Sequence, residues 1–211
     1  MSPPSDAAPA PTRGRPRSFD RDQALDAAMR VFWAKGYSAA SMTDLTAAMG
    51  IASPSLYAAF GCKEALFREA LDRYASLYGE TQRAVLALPT ARESVEGLLR
   101  NAVRVFASPE APTGCMVMQT ATDGEDLSPD LARTLCELRA GNTERLMRRL
   151  EQGVQDGDVG PGTDIRAVAD FYATVHKGLS LSARGGASAQ EMESVVTSAM
   201  AAWTPLINPQ A

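Results

Sequence analysis

An all-α protein is what this sequence predicts, and three observations carry that expectation. Apolar residues recur at the 3.6-residue spacing of helices through most of the 211 positions. The gaps between these periodic stretches carry helix-start and helix-stop chemistry, with Ser, Thr or Asp before a stretch and Gly after it. No segment of convincing length alternates apolar and polar residues as a half-buried strand would.

The elements follow in order. Residues 1–12 are rich in Pro, Ala and Ser and are expected to be a disordered leader. Arg13, Arg15 and Arg17, spaced by Gly14 and Pro16, suit a flexible arm that follows phosphates or enters a narrow minor groove, though a solvated charged leader has the same composition. A first helix starts at Asp20, with Gln23 as capping-box partner, buries Leu25, Ala28, Val31 and Phe32, and stops at Gly36.

The run 41–60 reads as two short helices around a glycine turn. Ser41 caps the first, Asp44 sits in its first turn, and Leu45, Ala48 and Met49 form its apolar stripe. Gly50 stands where a left-handed residue is needed, and Ser53 and Pro54 open the second helix. That helix has only Leu56 and Phe60 on its apolar side and leaves Ser55, Tyr57, Ala58 and Ala59 outward. A helix too short to stand alone, showing small polar groups and one tyrosine, suits a DNA major groove. An ordinary helical hairpin in an all-α core has the same outline. Gly61 ends the helix, and Lys63 stands at the start of the next beside free backbone N–H groups, a pairing that grips phosphate.

Further helices are expected after Thr90-x-x-Glu93, from Cys115 to about Asp123, from Ser128-Pro129 to Asp156, after a Thr163 cap to Gly185, and after Ser188-x-x-Glu191 until Pro205. That makes about nine helices. The division expected is 13–63 for an arm and helix-turn-helix module, and 64–211 for an all-helical body. The first holds seven basic and four acidic residues, the second fourteen and twenty, so a basic module is joined to an acidic body. Phosphates are expected to meet the first and be repelled by the second.

The chain-wide balance excludes several classes. No apolar run approaches the roughly 20 residues of a membrane span, and the start has neither the basic nor the apolar region of a signal peptide. Three cysteines, Cys62, Cys115 and Cys136, lack metal-type spacing and fit a reducing cytoplasm. His176 is the single histidine, so no histidine-rich metal site is expected, and no cofactor is implied. Neither paired carboxylates, a Cys–His couple nor a phosphate-binding Gly loop has suitable spacing, so the chain reads as no enzyme.

The pattern Phe32, Gly36-Tyr37, Gly50-Ile51, Leu56-Tyr57, Phe60, Lys63-Glu64 and Leu66 resembles the N-terminal domain of the TetR/AcrR family of transcriptional regulators, over about fifty contiguous residues. The resemblance implies a homodimer on a palindromic operator near a promoter, with a C-terminal all-α domain that binds a small ligand and loosens DNA binding. It puts Ser41, Met42 and Thr43 near the groove, Ser53, Pro54, Ser55 and Tyr57 on the recognition helix, and Tyr57 and Lys63 on phosphates. Thr43 and Ser55 read base edges loosely, and no Arg, Asn or Gln offers a bidentate base contact there, so the arm, methyl contacts and DNA shape carry much of the specificity.

The resemblance also makes a repressor the leading reading, with an activator of the same family as the alternative. The last two helices, 163–204, are rich in small and apolar residues and are expected to form the dimer bundle. A ligand pocket is expected among Tyr74, Phe106, Cys115, Met116, Met118, Phe171, Tyr172 and His176, residues that equally suit a core. The acidic body weighs against an anionic ligand. Gly114-Cys115 is similar to a Gly-Cys-aliphatic segment in a branch of the family that includes thiol sensors, so a sensor of electrophiles or oxidants through Cys115 is a further alternative. Cys62 departs from the family's usual Ser, Asn or Asp cap; a thiol at a helix N-terminus beside a lysine meets the conditions for reactivity.

Overall fold

A computed structural model describes residues 19–120 and 127–208. The expected leader 1–12 and the arm residues Arg13, Arg15 and Arg17 lie outside them. Ten helices are found among the described residues, and no strand. They are α1 (Arg21–Lys35), α2 (Met42–Met49), α3 (Ser53–Phe60), α4 (Lys63–Leu86), α5 (Ala91–Phe106), α6 (Met116–Gln119), α7 (Pro129–Asp156), α8 (Ile165–Arg184), α9 (Ala189–Ala201) and α10 (Trp203–Ile207).

The tenth helix is one the periodicity did not predict. A single residue, Ala202, separates it from α9. Pro205 does not end the helical run there because it stands third in α10, within the first turn, where a backbone N–H has no intrahelical acceptor to lose. Trp203 and Ile207 bury the new turn.

Caps explain most of the boundaries, and three differ from expectation. Ser41 and Asp44 form a reciprocal capping box, as do Thr90 with Glu93 and Ser188 with Glu191. Asp20 accepts from the backbone N–H groups of Asp22 and Gln23 at 2.9 and 3.1 Å, so its carboxylate serves both donors without a box from Gln23. The N-cap of α3 is Ala52, not Ser53; the carbonyl of Ala52 accepts the first bonds from Ser55 and Leu56, which leaves the Ser53 side chain outside the capping role. Asp164 caps α8 in place of Thr163, whose hydroxyl donates instead to the Ile207 carbonyl at 2.6 Å. Cys62 does occupy a cap: its sulfur accepts from the Ala65 N–H at 3.4 Å.

Two layers result. Helices α1–α3 close around Leu25, Phe32, Leu45, Leu56 and Phe60, while Ile51 is only half-buried and Ala48 faces solvent. Helix α4 runs out of this module for 24 residues, about 36 Å at 1.5 Å per residue. The body is built on α5, which packs against α4, α7, α8 and α9 and buries Val95, Leu98, Leu99, Ala102, Val103 and Phe106. The buried Arg149 of α7 ties this layer to the α4–α5 turn: it donates to Ser94 Oγ at 2.9 Å and to the carbonyls of Leu88 and Pro89 at 3.1 and 3.2 Å.

The module is joined to the body by packing first and charge second. Phe32 meets Phe67 edge-on at 4.9 Å, and Trp33 meets Tyr74 and Tyr78 at 4.9 and 5.2 Å. Ion pairs Arg73–Asp26 at 2.7 Å and Arg21–Glu69 at 2.8 Å bridge α4 and α1. Their partial exposure limits each to about 1 kcal/mol or less.

Candidate functional site

Two sites emerge from this arrangement, one on the module's surface and one inside the body. On the surface, Gly50 takes the left-handed conformation (φ 65°, ψ 28°) that lets the chain reverse between α2 and α3. Leu56 and Phe60 fix α3 on the core, and its other side stays open. Ser53, Pro54, Tyr57 and Ala58 are exposed, and Ser55 is half-buried. Tyr57 is half exposed at 50%, high for a large aromatic. At the start of α2, Ser41 and Thr43 are exposed and Met42 is half-buried.

Not every side chain there is equally available. The Ser41 hydroxyl is bonded to Asp44 at 2.8 Å, and Asp44 also pairs with Lys35 at 2.7 Å. Lys35 and Ser41 hold the Asp44 carboxyl down to a pKa of about 2. Lys63, the first residue of α4, donates from Nζ to the Ser38 carbonyl at 3.3 Å and lies 4.6 Å over the Tyr37 ring. These contacts hold the ammonium beside the module rather than free in solvent. From residue 19 to 63 four basic residues face four acidic ones, so the module's positive excess rests on Arg13, Arg15 and Arg17.

Inside the body a cavity of about 230 Å3 lies between α4, α5, α7 and α8. Four of the expected ligand residues line it: Tyr74, Phe106, Cys115 and His176. The other four lie elsewhere. Met116 is fully buried in the core, and Met118 lines a small adjoining recess. Tyr172 faces α9 and α10, donating to the Ala199 carbonyl at 3.2 Å beside Trp203. Phe171 lies on the outer face of α8, because the buried residues of that helix include Val168, Tyr172, His176 and Leu179, and Phe171 is one position off that stripe.

Burial sets the ionisation of the inner groups. It lowers His176 to a pKa of about 4, so the ring is neutral at pH 7. It raises the Tyr74 phenol, whose O–H reaches Cys115 Sγ at 3.6 Å. The Cys115 N–H donates to Ser180 Oγ at 2.8 Å. One residue before it, the Gly114 carbonyl accepts from Trp33 Nε1 at 2.9 Å. Trp33 thus touches two cavity tyrosines and the segment leading to Cys115 while belonging to α1 of the module. No sequence rule pointed to Trp33, since its role depends on partners 41 and 81 positions away. Also missed were the polar cavity residues Gln82, Arg83, Asn101, Asn142 and Arg145, which in sequence look like solvated helix faces.

Residues 24–70 match the family described as bacterial regulatory proteins, tetR family, and residues 91–199 match the tetracyclin repressor-like C-terminal domain. The chain belongs to the TetR family. It is 36% identical over 200 residues to the transcriptional repressor ComR of Escherichia coli K12, covering 93% of this chain and 94% of that one. To BdcR, a repressor of the same organism, it is 34% identical over 193 residues, covering 89% and 90%. A solved structure of the TetR-family regulator CifR, complexed with 26-bp double-strand operator DNA, superposes with a TM-score of 0.86 at 46% identity, over 90% of this chain and all of that one. TetR membership makes the protein a DNA-binding transcriptional regulator and not an enzyme. Among the described residues, no helix is long and apolar enough to cross a membrane, and no group of His, Cys, Asp or Glu is arranged to hold a metal ion.

Proposed function

We propose that the protein is a repressor that binds a palindromic operator as a homodimer in the cytoplasm and is released by a small molecule in the body cavity. The observation that carries the reading is the pairing of an exposed α3 with a cavity in the body, joined through Trp33. DNA contacts are assigned to Arg13, Arg15, Arg17, Ser41, Met42, Thr43, Ser53, Pro54, Ser55, Tyr57 and Lys63. Tyr57 and Lys63 meet phosphates, while Thr43 and Ser55 touch base edges. The division into an arm-and-helix module at 13–63 and a body at 64–211 belongs to the same reading. Repression is supported by the names of ComR and BdcR, and operator binding by the CifR complex.

Dimerisation rests on an uncovered stripe. Ala167, Phe171, Thr174, Gly178 and Leu181 repeat along the exposed face of α8, with Phe171 37% and Leu181 58% exposed. Val195 of α9 adds a 47% exposed side chain. A twofold partner laying its own α8 and α9 on these residues forms a four-helix bundle. The two α3 helices then sit about one DNA turn apart, roughly 34 Å. A ligand that wedges Tyr74 and Tyr78 apart presses on Trp33 and favours a spread form that cannot span both half-sites.

The test is selection of random-sequence DNA by the purified protein, then footprinting at two salt concentrations. The expected result is a palindrome with half-sites about one turn apart. Lys63→Ala should weaken binding to all sequences alike and lower the salt slope by about one. A protected site without twofold symmetry, or a Lys63→Ala variant altered only in sequence preference, would refute the reading.

A further inference from the structure

The cavity wall narrows the chemistry of the effector, and this inference rests on the reading of that cavity as the effector site. The wall is divided. Leu71, Ala102, Val105 and Phe106 form an apolar end, and Arg83, Arg145 and their amide neighbours form a polar one. Arg145 donates from Nη1 to Asn142 Oδ1 at 2.8 Å and to Gln82 Oε1 at 3.3 Å, both neutral groups. Among the described residues Arg21, Arg68, Arg73, Arg100, Arg133 and Arg166 meet carboxylates, whereas Arg30, Arg149 and Arg184 donate to backbone carbonyls. Among the described residues, neither Arg83 nor Arg145 has a carboxylate within 4.0 Å.

Space and charge agree. A glycine stands one turn before each arginine: a Cβ on Gly79 would lie 3.8 Å from Arg83 Nη1, and one on Gly141 would lie 3.9 Å from Arg145 Nη2. Among the described residues Asp72 is the one carboxylate in the wall, and it precedes Arg83 by eleven residues on α4, about 16 Å along the axis. The recess that shares Arg145, Asn142 and Gln82 with the cavity adds Lys177. His176 contributes no charge at pH 7. The net acidity of the body weighs the other way, but exposed carboxylates beyond about 8 Å are screened at physiological salt. A guanidinium held by amides alone presents its fork to an incoming anion.

We propose that the effector is a small organic anion, its carboxylate held by Arg145 and Arg83 and its apolar body packed against Phe106 and Val105. The cavity volume of about 230 Å3 lies below the roughly 300–1,000 Å3 of drug-sized sites, so the molecule is small.

Calorimetric titration of the full chain with benzoate and hexanoate, against benzamide, hexanamide and benzylamine, tests this. The carboxylates should bind at least tenfold tighter than the amides and the amine. Arg145→Gln should weaken benzoate at least tenfold, and Arg83→Gln by a few fold, with unchanged far-ultraviolet circular dichroism. Should Arg145→Gln misfold, Arg145→Lys keeps the charge without the fork and should lose part of the affinity. Equal binding of the amides or the amine, undiminished benzoate binding in both folded arginine variants, or no carboxylate binding at all would overturn the anionic class. Operator release, followed by fluorescence anisotropy on the selected palindrome, reports separately: release by benzamide or benzylamine would leave the effector reading standing and remove only its charge.

Discussion

Trp33→Phe removes one hydrogen bond and part of one ring from the joint between the DNA-reading module and the cavity. Trp33 is 1% exposed, and its Nε1 donates to the Gly114 carbonyl at 2.9 Å. Phe keeps an aromatic ring against Tyr74 and Tyr78 but has no donor, so the buried Gly114 carbonyl loses this partner. An orphaned buried acceptor costs about 1–3 kcal/mol. The volume lost from indole to phenyl, in a site that cannot fully collapse, adds about 1 kcal/mol. The expected loss is about 2–4 kcal/mol, measured by equilibrium urea denaturation at one fixed protein concentration. Trp203→Phe is the matched control. Trp203 is 3% exposed against Tyr172, and among the described residues its indole N–H has no hydrogen-bond partner, so that variant loses volume alone. Trp33→Phe should therefore cost about 1–3 kcal/mol more than Trp203→Phe. Equal losses would refute the assignment of the Trp33–Gly114 bond as the stronger part of the joint.

Three further outcomes are expected. Gly114→Ala should destabilise by more than about 2 kcal/mol, because Gly114 has φ +79° and its Cβ would stand 2.9 Å from the Ser180 carbonyl oxygen; thermal melting measures it. His176 has a folded pKa lowered from 6.5 to about 4, so the unfolded chain takes up the proton first as pH falls. Its contribution is complete above pH 6.5, is lost progressively down to about pH 4, and amounts to about 3 kcal/mol over that window; urea titrations of His176→Gln should lack that part of the slope. Leu181→Glu should shift the protein toward monomer in analytical ultracentrifugation and weaken operator binding, since it places a charge on the most exposed large apolar residue of α8.

Much of the fold was legible because helices announce themselves locally. The Ser41 cap, the capping boxes at Thr90 and Ser188, the left-handed Gly50 and the Leu56–Phe60 pair are decided within a few residues, and local sequence reads them directly. The module and its family pattern lie within one contiguous stretch and were readable for the same reason. Faces are less secure: Phe171 and Tyr172 differ by one position, about 100° around α8, and composition does not say which turns inward. Only packing put Tyr172 under α9 and left Phe171 outside.

The sequence by itself determined where most of the helices begin, that the module carries exposed groups on its last helix, and to which family it belongs, all from short-range chemistry. Tertiary structure alone decided the cavity and its link to the module. Arg83 and Arg145 are 62 positions apart and each resembles any solvated helix residue. Their charges acquire meaning when α4 and α7 bring them to one wall, with no carboxylate among the described residues within 4.0 Å of either. Trp33 likewise becomes a joint only where Gly114, Tyr74 and Tyr78 converge on it. Such convergence depends on long-range packing, which no local pattern encodes.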